Sequence, residues 1–201
     1  FKPTASLALV YGVDLLDEQL AAGDTARRRD QRGYFAEYQG AFGESLFVTV
    51  GARHDDNDDF GRYTSSRVSA AYLRALTLGG SLKYRASAGT GFRAPSLYEV
   101  AYNAGPFAFP PASGASLEEE RSRGYDLGLE YRAPNGVRLE ATYLDQEIED
   151  EIFFDLADFS GYLQSPGKST SRGVELAAGV PLGARVELVA NWTHNDAEST
   201  T

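Results

Sequence analysis

The chain has 201 residues, no cysteine and no methionine, and its formal net charge at neutral pH is −10. This length accommodates one sizeable β domain or two small domains. Without cysteine the chain has no disulfide framework and no thiolate metal site, and its negative charge argues against a nucleic-acid partner, because phosphate binding requires Lys and Arg. The lack of methionine predicts that Phe1 is a cut or processed end.

The dominant pattern along the chain is an alternation of apolar and polar residues. In the stretch 185–192, for example, Val186, Leu188, Ala190 and Trp192 share one face of an extended chain. Such alternation places one face of a strand in an apolar medium and the other in water. Each alternating stretch is about ten residues long, which is the length that a tilted strand needs to cross a bilayer. The predicted strands are 4–15, 32–43, 46–54, 66–75, 80–90, 120–132, 136–148, 170–180 and 184–194.

The connections between these strands are predicted to alternate strictly between short and long. The short ones lie around 43–44, 76–79, 133–136 and 181–183, and the long ones around 16–31, 55–65, 91–119 and 149–169. All short turns then lie at one end of the sheet, as in outer-membrane barrels. The charged residues on the polar strand faces fit a wide, wet interior. The fold class predicted is all-β: a partial, transmembrane, antiparallel up-and-down β-barrel.

Two further features support a membrane setting. Aromatic residues lie near predicted strand ends, with Tyr131, Tyr72 and Phe42 close to short turns and Trp192 and Tyr11 toward the long-loop end. Amphipathic rings prefer the bilayer interface, although Tyr is also common in strands generally. Nine strands leave two open edges, whose unpaired N–H and C=O groups hydrocarbon cannot satisfy, so the native protein is expected to have more strands than this chain.

Particular segments resemble the family of TonB-dependent outer-membrane receptors. The stretch 84–99 resembles the signature in which a strand ends in Gly-x-x-Phe-[Arg/Lys]-Ala-Pro, and 173–175 is similar to a Gly-[Val/Ile]-Glu strand opening. Segments 51–57 and 60–62 lie especially close to the vitamin B12 transporter branch, whereas 114–120 departs from the usual Asn-Pro-x-Leu-x-Pro-Glu. The residues assigned to the family motifs are Gly91, Phe92, Arg93, Ala94, Pro95, Gly173 and Glu175.

The resemblance implies active uptake of a scarce, large nutrient, such as cobalamin or a ferric siderophore, across a bacterial outer membrane. Residues 1–201 would be about nine of 22 barrel strands, with the plug domain and the last strands outside this chain. The implied partners are outer-membrane lipid and lipopolysaccharide, the ligand, and TonB through the missing plug segment. No enzymatic activity, cofactor, metal or nucleic acid is expected.

Two sharper motifs have competing interpretations. Residues 89–94 satisfy the dinucleotide pattern G-x-G-x-x-[GA], but Pro95, the loop-like residues after it and the lack of a βαβ unit argue against a nucleotide site. The acidic run 55–61 fails the spacing of an EF-hand. It is interpreted as a solvated acidic loop or as a looser calcium site.

The carboxylates between Glu147 and Asp158 suggest a second kind of function, because paired carboxylates can do acid–base work. An outer-membrane barrel enzyme would also need a nucleophile or base fixed by a third group, and none is evident in the sequence. A porin that works without TonB and a soluble β-sandwich binding module are the remaining candidate functions. The sandwich would mix short and long connections, whereas the prediction sorts them.

The stretch 98–110, within the predicted long loop 91–119, concentrates aromatic residues. Tyr98, Tyr102, Phe107 and Phe109 are the predicted ligand contacts, because rings on a loop grip apolar or planar ligands at low entropic cost. Packing of the same rings against neighbouring loops is an equally good interpretation.

Overall fold

The alternation of apolar and polar residues gives, in a computed structural model, one antiparallel sheet of nine strands. The structure describes residues 5–22, 25–183 and 185–199. Each strand pairs with its sequence neighbours, apart from a two-stranded hairpin inserted before the eighth strand of the sheet. The predicted meander of nine strands is therefore confirmed.

The large sheet consists of β1 (Ala5–Ala22), β2 (Thr25–Phe42), β3 (Leu46–Asn57), β4 (Gly61–Ala75), β5 (Ser81–Arg93), β6 (Glu120–Arg132), β7 (Arg138–Glu149), β10 (Lys168–Leu182) and β11 (Val186–Ser199). The inserted hairpin consists of β8 (Ile152–Phe154) and β9 (Tyr162–Gln164). The helices are α1 (Leu97–Asn103) and a 3-10 helix (Ala112–Gly114). Among the described residues, no helix has the length and apolarity needed to cross a membrane.

Two of the four predicted long loops are wrong. β1 and β2 continue through most of 16–31 and remain paired as far as Ala22 and Thr25. β3 and β4 likewise extend into 55–65 and leave only a turn at 58–60. These extensions carry polar pairs across the strands rather than an apolar row, so the apolar alternation does not reveal them. The predicted starts at residues 4 and 184 lie outside the described residues.

The strict alternation of short and long connections is therefore also wrong. Short turns join β2 to β3, β4 to β5, β6 to β7 and β10 to β11, and they share one end of the sheet, here called the turn end. At the opposite end, the loop end, only 94–119 and 150–167 are long. The sorting of connections by length holds only in part: both long connections lie at the loop end, but the short β1–β2 and β3–β4 connections lie there too, so short turns occur at both ends.

The sheet has an apolar face and a polar face. On β6, Leu127 and Leu129 lie on the apolar face, whereas Asp126 and Glu130 lie on the polar face. Toward the loop end the apolar face becomes charged, since Arg123 lies two residues before Tyr125 on the same face. The strands thus carry an apolar band with charged rungs beyond it, as expected for strands that project from a hydrocarbon layer into water.

Candidate functional site

The two long connections fold into one structure at the loop end, here called the cap and defined as residues 94–119 and 150–167. The four buried hydrophobic residues of the described chain all lie in it: Leu97, Ala112, Leu117 and Ile152. The residues that follow Pro95 were expected to be loop-like, and that expectation is wrong, because α1 occupies 97–103. The cap is therefore a folded element with its own small core.

A capping box starts α1. The Ser96 hydroxyl accepts a hydrogen bond from the Glu99 N–H, and the Glu99 carboxylate accepts one from the Ser96 N–H at 2.6 Å. A helix of seven residues is marginal without such support. The Ser-x-x-Glu spacing is visible in the sequence and is the signal that could have predicted this helix.

Arg93 fixes α1 to the wall of strands. Its guanidinium donates two hydrogen bonds of 2.7 Å to Glu120, at the start of β6, and two of 3.1 and 3.2 Å to Glu99 in α1. A planar guanidinium suits this paired geometry better than an ammonium group does. Arg93 therefore joins the end of β5, the start of β6 and the first turn of α1.

Pro95 attaches the same segment to β2 on the polar face of the sheet. The buried Pro95 presents its carbonyl to the Arg29 guanidinium at 2.7 Å, and Arg29 also donates to Glu18 at 2.7 Å. The Arg29 side chain is only 4% exposed. α1 consequently lies against β1 and β2, across the polar face from the strands that carry it.

The remaining residues of the predicted motifs pack within the sheet or beside it. The Phe92 ring lies 4.5 Å from that of Tyr63, centre to centre. Half-buried Ala94 lies between β5 and α1. A Cβ on Gly91 would lie 2.9 Å from the Ser122 hydroxyl, so little space is available there.

Gly173 and Glu175 lie on the polar face of β10. A Cβ on Gly173 would lie 2.8 Å from the carbonyl oxygen of His194, so a side chain would push the β11 backbone away. Glu175 is placed opposite Thr142 on β7 and Thr193 on β11. The close approach of β11 accounts for the glycine at 173, and both positions lie outside the cap.

Aromatic rings and one amide join the two halves of the cap. Tyr98 and Tyr102 of α1 both contact the ring of Tyr162 in β9, at 6.2 and 5.7 Å between centres. The Asn103 amide donates to the Tyr162 carbonyl at 2.7 Å and accepts from the Tyr162 N–H at 2.9 Å. Phe154 packs edge-on against Tyr162 at 5.2 Å. The two loops therefore behave as one preorganised unit.

The four predicted ligand contacts divide into two groups. Tyr102 packs inside the aromatic cluster, which agrees with the packing interpretation. Tyr98, Phe107 and Phe109 present much of their rings to solvent, with Phe107 77% exposed. The Phe109 N–H donates to the Ser160 carbonyl at 3.1 Å, which brings this part of the first loop beside the second.

The second loop adds apolar residues that sequence analysis missed. Phe153, Leu156 and Phe159 are exposed large hydrophobic residues. The Phe-Phe pair at 153–154 was the available signal, but the surrounding carboxylates led to an interpretation based on charge alone. The rim of the cap is therefore aromatic on both loops.

The carboxylates from Glu147 to Asp158 divide between the wall and the cap, and Glu147 and Glu149 share the Lys168 ammonium. Glu147 contacts Arg123 at 2.9 Å and Lys168 at 2.7 Å on the charged rungs of the wall. Asp155 accepts from the Ser160 hydroxyl at 2.7 Å and from the N–H groups of the turn after it. The Ser160 hydrogen bond, with these backbone N–H groups, lowers the pKa of Asp155 below its ordinary value.

The acidic run 55–61 is the end of β3 and a turn, not the loop that was expected. Asp55 is 1% exposed and accepts from Gln31 at 2.9 Å and from Arg53 at 2.9 Å. The Asn57 side chain accepts from the N–H groups of Asp59 and Phe60 and closes the turn. No group of three His, Asp or Glu side chains positioned for a metal ion is found among the described residues.

Known proteins share this architecture. The vitamin B12 transporter BtuB of Photobacterium profundum is 31% identical over 131 residues, which is 64% of this chain and 20% of that protein. The siderophore receptor PirA of Pseudomonas aeruginosa superposes with a TM-score of 0.77 at 20% identity, over 98% of this chain and 40% of that one. A mutant of the ferric enterobactin receptor PfeA of the same organism gives 0.74 at 17% identity, over 97% and 33%.

The chain thus spans well under half the length of these relatives. The two solved structures, at their low identity, show the fold of the wall. Residues 5–201 match the family described as "TonB dependent receptor-like, beta-barrel". The chain belongs to the TonB-dependent receptor β-barrel family.

Proposed function

We propose that this chain forms part of the wall and the extracellular cap of an outer-membrane transporter that takes up a scarce, large nutrient with energy delivered through TonB. The nutrient is cobalamin or a ferric siderophore. The observation that carries the proposal is the polarity of the molecule: an apolar band on one sheet face, and a folded aromatic cap at one end of the other.

The wall suits a large barrel. Its apolar face would lie against outer-membrane lipid, and the charged rungs at the loop end, such as Arg123 and Glu147, would lie at the level of the lipopolysaccharide head groups. β1 and β11 are edge strands of 18 and 14 residues. Hydrocarbon cannot satisfy their unpaired backbone groups, so further strands complete the barrel. A plug domain outside this chain would close the pore and contact TonB.

The cap suits recognition of a ligand. Its exposed rings, which include Tyr98, Phe107 and Phe109, would meet the ligand at the mouth of the barrel, and Tyr102 would support them from within the cluster. A preorganised set of rings binds with little loss of conformational freedom. The named relatives support the class of function, because one is a vitamin B12 transporter and others are receptors for siderophores.

Uptake by the full-length protein in cells tests the proposal. Labelled cobalamin and ferric siderophores are compared in cells with and without TonB. We expect saturable accumulation of one of them that requires TonB, and weaker accumulation in a Phe107→Ala/Phe109→Ala variant. A Leu78→Ala variant, at an exposed turn-end position, is the matched control and should transport normally.

TonB-independent, unsaturable entry would instead indicate a porin. Chemical conversion of a ligand without its accumulation would indicate a barrel enzyme. Either result would contradict the transport proposal while leaving the barrel fold in place.

A further inference from the structure

We infer that the cap admits a ligand that is uncharged or positively charged and has an apolar or planar face, and that it disfavours a polyanionic ferric siderophore. This inference rests on the proposed function and narrows its substrate class. Three separate features of the cap support it: its content of charge, the pairing of the cations that touch it, and its exposed rings.

The cap is acidic and contains no Lys, Arg or His. Residues 94–119 contain three carboxylates and residues 150–167 contain four. They are Glu99, Glu118, Glu119, Asp150, Glu151, Asp155 and Asp158. A surface of one sign repels ligands of the same sign over a distance of about 8 Å at physiological ionic strength.

The cations that hold the cap in place are already paired with carboxylates. Arg93 is shared between Glu99 and Glu120. Arg29 is buried and bound to Glu18. A ligand anion would have to displace a carboxylate that is held by geometry, and the displaced carboxylate would then repel it. These arginines therefore serve the structure of the cap and offer no free charge to a ligand.

The exposed rings complete the chemistry of the rim. Phe107, Phe159 and Tyr98 are 77%, 60% and 53% exposed. The face of an aromatic ring carries partial negative charge, so it attracts cations and packs against apolar surfaces but does not attract an anion. Because Asn103 holds the two loops together, the rings on both of them reach the ligand as one surface.

Arg27 is one cation on the polar face that could reverse this selectivity, and Arg67 on β4 is another. Arg27 lies near the tip of the β1–β2 hairpin on the same face as Arg29, and no carboxylate partner is found for it among the described residues. It lies outside the cap. The experiment therefore includes an Arg27→Gln variant.

Two iron complexes that differ in charge provide the test. A ferric tris-hydroxamate is neutral, because its three hydroxamates cancel the charge of the ferric ion, whereas a ferric tris-catecholate is a polyanion. Their dissociation constants are measured on the purified full-length protein in detergent, together with that of cobalamin. We expect a neutral ligand to bind at least about tenfold more tightly than the polyanion at low salt, with the difference narrowing as salt is added.

A charge-neutralising variant tests whether the carboxylates of the cap cause the weaker binding of the polyanion. Glu118 and Asp158 are exposed, and in a Glu118→Gln/Asp158→Asn protein we expect polyanion affinity to rise several-fold while affinity for the neutral ligand is unchanged. Glu44→Gln, at an exposed turn-end position, is the matched control and should change neither affinity.

The outcomes separate the two proposals. Two results would overturn the inferred preference for neutral or cationic ligands: tighter binding of the polyanion than of the neutral ligands, or polyanion binding that is lost in the Arg27→Gln variant. Both would leave TonB-dependent transport intact. Selective binding of a neutral ligand without TonB-dependent uptake supports the charge selection and overturns the transport function. Absence of binding by all three probes overturns the substrate class inferred here.

Discussion

The wall and the cap are stabilised in different ways. The wall is a ladder in which every strand bonds to its sequence neighbours, and large apolar residues such as Leu7 and Leu127 remain exposed on its face. The cap contains all four buried hydrophobic residues of the described chain and is fixed by side chains that bond to backbone, such as Asn103. The wall therefore takes its apolar contacts from its surroundings, whereas the cap supplies its own.

This difference predicts opposite sensitivities. A substitution in the wall should matter according to the face it changes, because lipid and water are its two solvents. A substitution in the cap should matter according to the partner it removes, because a buried polar group left without a partner is costly. Four experiments on the full-length protein test this contrast.

The largest effect is expected from a charge on the apolar face. Leu127→Arg should destabilise the protein by about 2–4 kcal/mol, the cost of Arg on the lipid face near the bilayer midplane. Leu144→Arg is the matched control, since Leu144 lies on the polar face of the neighbouring strand. Denaturant unfolding in lipid vesicles measures both. Equal losses would show that the apolar face does not meet lipid.

The next effect concerns the joint between the two halves of the cap. Asn103→Ala removes both hydrogen bonds to Tyr162 and should lower the local opening free energy of the cap by about 1–3 kcal/mol. Amide hydrogen exchange of 97–103 and 162–164 measures this opening. Asn135→Ala, at an exposed turn, removes one side-chain bond to Val137 and should leave cap exchange unchanged. Faster exchange in the wall as well would contradict a separate cap.

An effect of similar size is expected where the cap meets the wall. Arg29→Ala removes the hydrogen bond to the Pro95 carbonyl and leaves Glu18 without this partner. It should lower the opening free energy of α1 by about 1.5–3 kcal/mol, and the amide hydrogens of α1 should therefore exchange faster. Arg28→Ala is the control, because Arg28 is exposed and its ion pair with Asp17 is worth about 0–1 kcal/mol. If both variants gave the same exchange, Arg29 would not hold the cap.

The smallest effect is a dependence on pH. Because hydrogen bonds lower the pKa of Asp155, the folded turn favours its ionised form. The resulting stabilisation is fully present above the ordinary carboxyl range of about pH 4 and is lost as the pH falls through the lower, folded pKa. Hydrogen exchange of 155–160, corrected for intrinsic rates, should accelerate in acid. Asp155→Asn should abolish this pH dependence. If the dependence persisted in the variant, a group other than Asp155 would be its cause.

The sequence predicted the part of each strand in which one face meets lipid and the other meets water. Period-two stretches such as 185–192 identified all nine strands, because lipid and water impose the alternation directly on the chain. The same method missed the outer parts of β1 and β2, at 16–22 and 25–31, since polar pairs such as Arg28 with Asp17 replace the apolar row there. The method therefore measures where the apolar band ends, not where the strand ends.

The cap could be predicted only where its contacts are local. Ser96 and Glu99 are three residues apart, and their spacing alone predicts the start of a helix. Asn103 and Tyr162 are 59 residues apart, and nothing in a single sequence couples them. The ligand contacts proposed for Tyr98 and Phe107 remain predictions, although the structure shows that their rings are accessible.

The order of the wall strands also bears on how such a protein could change its size. Each strand of the large sheet bonds only to the sheet strand immediately before it and the one immediately after it in the chain. The register of each pair therefore does not depend on a distant strand. Insertion or deletion of a complete hairpin would leave every other pairing and the direction of every other strand intact, whereas loss of a single strand would invert all that follow. The hairpin is thus the unit by which this wall could widen or narrow through gene duplication.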